Sequence, residues 1–103
     1  IDQGATFSAD IDVTDVDGNE IDLTNYTVAG QIRKTYSSLT ATDFTASIQN
    51  AIGGTIRIEL SAAETGALKA GRYVYDVEIT SDTNVITRVL EGQVEIMPGV
   101  TRD

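Results

Sequence analysis

The stretch Leu60–Ile79, LSAAETGALKAGRYVYDVEI, decides how the rest of this 103-residue chain is read. Its first half is helical by local chemistry. Ser61 lies three residues before Glu64, the capping-box spacing. In that motif the hydroxyl accepts from the amide at the third position and the carboxylate accepts from the amide of the cap. A short helix from about Ala62 to Leu68 is therefore expected, weakened by Gly66. Gly71 then ends the linker and the period changes to two. Tyr73, Tyr75, Val77 and Ile79 share one face, and Asp76 and Glu78 fall on the other. The stretch predicts a helical corner feeding a strand with tyrosines on the core side and acids in water.

The same alternation recurs on both sides of it. ATFSADIDV puts Phe7, Ala9, Ile11 and Val13 on one face and Ser8, Asp10 and Asp12 on the other. DVDGN (15–19) follows as a tight reversal centred on Asp-Gly. YTVAGQIRK sets Tyr26, Val28, Gly30 and Ile32 inward, and the polar run from Thr35 to Asp43 reads as a loop. FTASIQN offers Phe44, Ala46 and Ile48, TIRIEL offers Ile56, Ile58 and Leu60, and Ala51-Ile52-Gly53-Gly54 joins them as a four-residue hairpin loop. SDTN (81–84) turns the chain into VITRVLEGQVEIM. A regular strand there places Ile86, Arg88, Leu90 and Gly92 together, with Gly92 as the expected bulge or break. Pro98 lies beyond this last strand. Six to eight short strands with closely spaced turns predict one all-β domain over 1–103, an antiparallel sandwich or barrel.

Composition narrows the function. Neither cysteine nor histidine occurs. That removes disulfides, thiolate metal sites, the usual neutral-pH general base and any Ser–His or Cys–His triad. Serine–lysine chemistry would need Lys34 or Lys69, and both sit in polar, loop-like surroundings. Sixteen acids against seven bases give a net charge of −9. Such a surface repels a polyphosphate backbone, so no nucleic-acid partner is expected. No apolar run approaches the ~18 residues that cross a bilayer, and no secretory signal is visible, so no membrane partner is expected either. The chain opens at Ile1 rather than Met, as a processed or trimmed start would.

The remaining candidate sites read more simply as structure. Asp15, Asp17, Asn19 and Asp22 suggest a weak calcium loop, but with Gly18 at the sixth position the first would be Val13 and the twelfth Thr24. A hairpin turn explains them better, and no metal or cofactor is expected. Asp76 with Glu78, or Glu91 with Glu95, would be the carboxylate pairs for glycoside hydrolysis, yet each alternates with apolar residues and faces solvent. Asn25-Tyr26-Thr27 matches a glycosylation sequon, a match common by chance. Tyr26, Tyr36, Tyr73 and Tyr75 are the stacking platform that a carbohydrate-binding module, calcium-assisted or not, would need. Tyr26, Tyr73 and Tyr75 share the apolar parity of their strands, which favours the core.

Two resemblances extend this reading. In LKAGRYVYDVEI, Gly71 and Tyr73 resemble the corner that precedes a core strand in immunoglobulin-like sandwiches, with Tyr75 where antibody domains carry cysteine. The resemblance implies that Tyr73 is a tyrosine corner, its hydroxyl bonding backbone a few residues upstream. Over nearly the whole chain, Gln3 to Arg102, the pieces G-x-T-F, D-x-D-G-x-x-x-D-L-T-x-Y, L-S-A-A-E-T-x-A-L-x-A-G-x-Y-x-Y-D and V-T-R resemble small immunoglobulin-like modules of tailed-bacteriophage virions. These include N-terminal domains of upper baseplate proteins. Lys69 stands where the family pattern would have proline. The resemblance implies an immunoglobulin-like β-sandwich of about seven strands. It also implies a non-enzymatic part of a phage particle, made in the bacterial cytoplasm, whose partners are other virion proteins or further copies of itself.

Overall fold

The structure, a computed structural model, describes residues 1–99; the V-T-R motif at 100–102 lies outside the described residues. Seven strands and one helix follow in the order β1 (Phe7–Asp12), β2 (Thr27–Arg33), β3 (Thr42–Asp43), β4 (Thr45–Asn50), β5 (Thr55–Leu60), α1 (Ala62–Ala67), β6 (Gly71–Thr80) and β7 (Ile86–Ile96). They form two antiparallel sheets, β1-β5-β4 and β3-β2-β6-β7. The chain is an immunoglobulin-like β-sandwich.

The period-2 patterns place the core. Ile56, Ile58 and Leu60 from β5 meet Ile32, Val77, Ile79 and Ile96 from the facing sheet, all of them buried. Burial of such side chains contributes roughly 1.5–3 kcal/mol each, and it is the main term available to a cysteine-free domain. The hairpin loop at 51–54 falls where its composition placed it, between Asn50 and Thr55. The first residues close the sandwich along β7, where Asp2 bridges Met97 in parallel and Gln3 N–H donates to Met97 O at 2.8 Å.

Three local expectations are corrected. The polar run 35–43 is not all loop, because Thr42–Asp43 pairs with Ile32 and Gln31. Phe44 is the crossover between sheets rather than a residue of one continuous strand: its N–H donates to Gly30 O, and β4 begins at Thr45 in the opposite sheet. The Phe44 ring bridges the two layers, 6.2 Å from Phe7 and 6.4 Å edge-on to Tyr75. Gly30 makes room for it, since a Cβ there would stand 3.0 Å from the ring.

The third correction concerns β7, which runs unbroken through Gly92. Val77 pairs with Leu90 and Glu78 with Arg88, so Val89 is the extra residue and the bulge lies there. A bulge reverses the side-chain parity. Leu90, Gly92, Val94 and Ile96 continue the inward row, whereas Ile86 and Arg88 turn outward, against the single face expected for a regular strand. Gly92 lies under the Tyr75 ring, where a Cβ would meet that side chain at 3.3 Å.

Candidate functional site

The corner before β6 is built by the residues that marked it in the sequence. Ser61 Oγ accepts from Glu64 N–H at 3.1 Å and Glu64 Oε1 accepts from Ser61 N–H at 2.9 Å, completing the capping box. Gly71 has φ near 141°, a conformation that side chains with a Cβ rarely adopt. Tyr73 Oη donates to Lys69 O at 2.7 Å, the tyrosine-corner geometry. The Tyr73 ring is buried, and the Lys34 ammonium sits 4.7 Å above it as a cation–π partner. The Tyr75 ring packs into the core against Phe44. Tyr73, Tyr75, Gly71, Ser61 and Glu64 are therefore framework.

The other candidates are dispersed. Asp15 Oδ1 accepts from Asp17 N–H and Asn19 N–H, both at 2.9 Å, which makes it the pin of its own turn. Asp22 Oδ1 accepts from the Thr24 hydroxyl and N–H, and these bonds hold its carboxyl below the usual carboxylate range. Among the described residues no group of three or more acids gathers as a metal cage, Asp15, Asp17 and Asp22 included. Tyr26 packs against the core with Tyr73 and Tyr75, and Tyr36 alone of the four is broadly exposed, so no row of open rings forms. Asp76 and Glu78 lie on the outer face of the four-stranded sheet, as their parity required. There Arg88 ties Asp76 at 3.3 Å to Glu91 at 3.2 Å, a guanidinium between two carboxylates rather than an open acid pair. Glu95 is likewise exposed. Lys34 caps an aromatic ring instead of meeting a serine.

Two surface hollows among the described residues bear on a site. The larger, about 730 Å³, lies over the four-stranded sheet; Tyr36, Arg33 and Asp43 line it beside Asp76 and Arg88. A polar chain runs across it: Arg33 donates to Gln31 Oε1 at 3.0 Å and Gln31 Nε2 donates to Asp43 Oδ1 at 2.7 Å. The smaller, about 460 Å³, lies beside the tyrosine corner, with Ile32, Leu68 and Tyr73 among its lining residues and Arg33, Lys34 and Lys69 around them. None of these three cations is ion-paired among the described residues.

Sequence periodicity did not single out the most distinctive surface feature. Val16 and Leu39 are fully exposed, and Tyr36, Ile52, Val85 and Ile86 are largely so. Four of these, Val16, Ile52, Val85 and Ile86, lie in or beside the β1–β2, β4–β5 and β6–β7 connections, which share one end of the sandwich. The available signal was an apolar residue inside a turn: Val16 interrupts Asp15 and Asp17 at a reversal where nothing buries it. The class of protein defined by this frame is an immunoglobulin-like sandwich with apolar loop tips. No family model matches the chain, and no curated protein matches it.

Proposed function

We propose that this domain is a non-enzymatic assembly or attachment module of a tailed-phage particle, acting through protein–protein contacts made by its loop ends. The observation that carries the reading is the placement of large apolar side chains in water on a frame whose core is otherwise filled. An exposed Val, Ile or Leu at a turn contributes little to folding, whereas several at one end of a sandwich among polar groups fit a docking surface. The whole-chain resemblance of G-x-T-F, the L-S-A-A-E-T stretch and the tyrosine corner to virion modules supports the setting. The acidic surface suits such a role by keeping unassembled copies apart and discouraging stray pairing of strand edges.

The direct test is immunolabelling. Antibody raised against the purified domain is applied to intact particles of a phage whose genome encodes this chain. Labelling at the neck, tail or baseplate is the expected result. Its absence from intact and disrupted particles alike would remove the virion assignment.

A further inference from the structure

The two ends of the sandwich carry opposite local chemistry. Asp12, Asp15, Asp17, Glu20, Asp22 and Asp82 lie at or beside the end formed by the β1–β2, β4–β5 and β6–β7 connections, and segments 13–26, 49–55 and 80–86 contain no Lys or Arg. The β1–β2 turn carries Asp15-Val16-Asp17, an apolar side chain between two carboxylates, with Val16 fully exposed. Asp15 fixes its shape through the bonds to Asp17 N–H and Asn19 N–H. At the other end of β2, the hollow of about 460 Å³ has the converse design. Its apolar lining of Ile32, Leu68 and Tyr73 is accompanied by Arg33, Lys34 and Lys69, with no carboxylate among its lining residues.

We propose that copies of this chain associate head to tail, the Asp15-Val16-Asp17 turn of one copy seating in the Arg33–Lys34–Lys69 hollow of the next. Val16 meets the half-buried Leu68 side chain, and the flanking carboxylates meet the two lysines. Tip and hollow occupy opposite ends of β2, so the contact is heterologous and propagates into rows or rings instead of stopping at a two-fold dimer. The inference deepens the assembly reading and needs nothing from the identity of the particle.

Magnitudes decide the conditions under which the contact forms. Each copy carries a net charge of −9, which opposes approach at low ionic strength. At about 0.15 M salt the Debye length is about 8 Å, far shorter than the 42 Å long axis, so the charges of two copies largely stop sensing one another except at the contact. Ion pairs within a few ångströms persist there, and they fade toward about 1 M salt, where the Debye length is about 3 Å. A single turn in a small hollow belongs to the weak, transient class of interfaces.

Sedimentation equilibrium of the chain up to about 1 mM at about 0.15 M salt tests this, with the weight-average mass expected to reach about twice the 11.0 kDa monomer when concentration equals Kd. Two charge-altered variants then separate this contact from any other. Asp15→Asn with Asp17→Lys makes the tip cationic while keeping a side chain able to pin the turn. Lys34→Glu with Lys69→Glu makes the hollow anionic. Each variant alone is expected to sediment as monomer with its cooperative thermal transition retained, and an equimolar mixture is expected to associate again. Persistent monomer in the unmodified chain, or association that both variants leave unchanged, would overturn the proposal. Either result would leave the particle-labelling outcome untouched.

Discussion

The two ends of this sandwich are held together by different means. At the corner end, groups far apart in sequence bond one another. The Thr65 hydroxyl, fully buried, donates to Ala5 O at 2.8 Å and accepts from Gly4 N–H at 3.0 Å, and Gln3 Nε2 donates to Leu68 O at 2.8 Å. At the loop end most of the ties are local: Asp15 to Asp17 and Asn19, Asp22 to Thr24, Asn50 to Gly53, Ser81 to Val85. Locally pinned turns hold their shape without drawing on the core, so their outward side chains are free to serve contacts. The corner has less freedom, because Thr65, Gln3 and Tyr73 each bond a buried or half-buried partner. The contrast explains why Val16, Ile52, Val85 and Ile86 stand in water at the loop end while Thr65 and Tyr73 turn inward at the corner. Tyr36 and Leu39 in the β2–β3 connection are exposed as well.

Leu23 is the point at which the contrast would break first. It lies in the β1–β2 connection yet is fully buried, and its N–H donates to Ala51 O at 2.7 Å. Leu23→Ala is expected to cost about 2–5 kcal/mol in denaturant unfolding, the largest effect of any change at the loop end. A cost under about 1 kcal/mol would mean that the loop end is not anchored to the core at all. Tyr73→Phe is next. It removes the hydroxyl that bonds Lys69 O and keeps the ring beneath Lys34, so a loss of about 1 kcal/mol is expected, with self-association unchanged. Loss of association at unchanged stability would give the Tyr73 hydroxyl a direct part in the contact rather than a framework role.

Acid titration gives the smallest effect, because the groups concerned are exposed. The Arg57 side chain, bonded to Asp10 at 2.7 Å across β1 and β5, holds the Asp10 carboxyl below its ordinary value, and Thr24 does the same for Asp22. A carboxylate with a lowered folded-state value contributes stability at pH above its ordinary value near 4, and that contribution is lost as pH falls through the lowered value. The thermal midpoint is therefore expected to decline below about pH 4, and Asp10→Asn to be less stable than the parent at neutral pH but to converge with it in acid. A difference that stays constant from neutral pH to acid would show that the Asp10–Arg57 pair does not act through ionisation.

Much of the fold was legible because its determinants are local. Ser61 and Glu64 cap a helix through three-residue spacing, Gly53 and Gly54 turn a hairpin, and the rows Ile56-Ile58-Leu60 and Tyr73-Val77-Ile79 carry their parity on their face. Features set by a partner strand escaped. Nothing around Phe44 marks a change of sheet, since the cue is a hydrogen bond to Gly30 and a space left by its missing Cβ. The bulge at Val89 is fixed by register against Val77 and Glu78, and Gly92, the suspected breaker, serves instead to admit the Tyr75 ring. The tyrosine corner was legible from Gly71 and Tyr73 by resemblance. The tip and its hollow were not, because Lys34 and Lys69 are 35 residues apart in sequence and only the fold brings them to one rim.

The central claim, that the apolar tip at the loop end makes the contact and the hollow beside the corner receives it, is tested most directly by sedimentation equilibrium of Val16→Asp beside the parent chain. Val16 is fully exposed, so its stability should change by no more than about 0.5 kcal/mol. The account predicts that Val16→Asp, folded as well as the parent, sediments as monomer where the parent associates. Association equal to the parent's would contradict it.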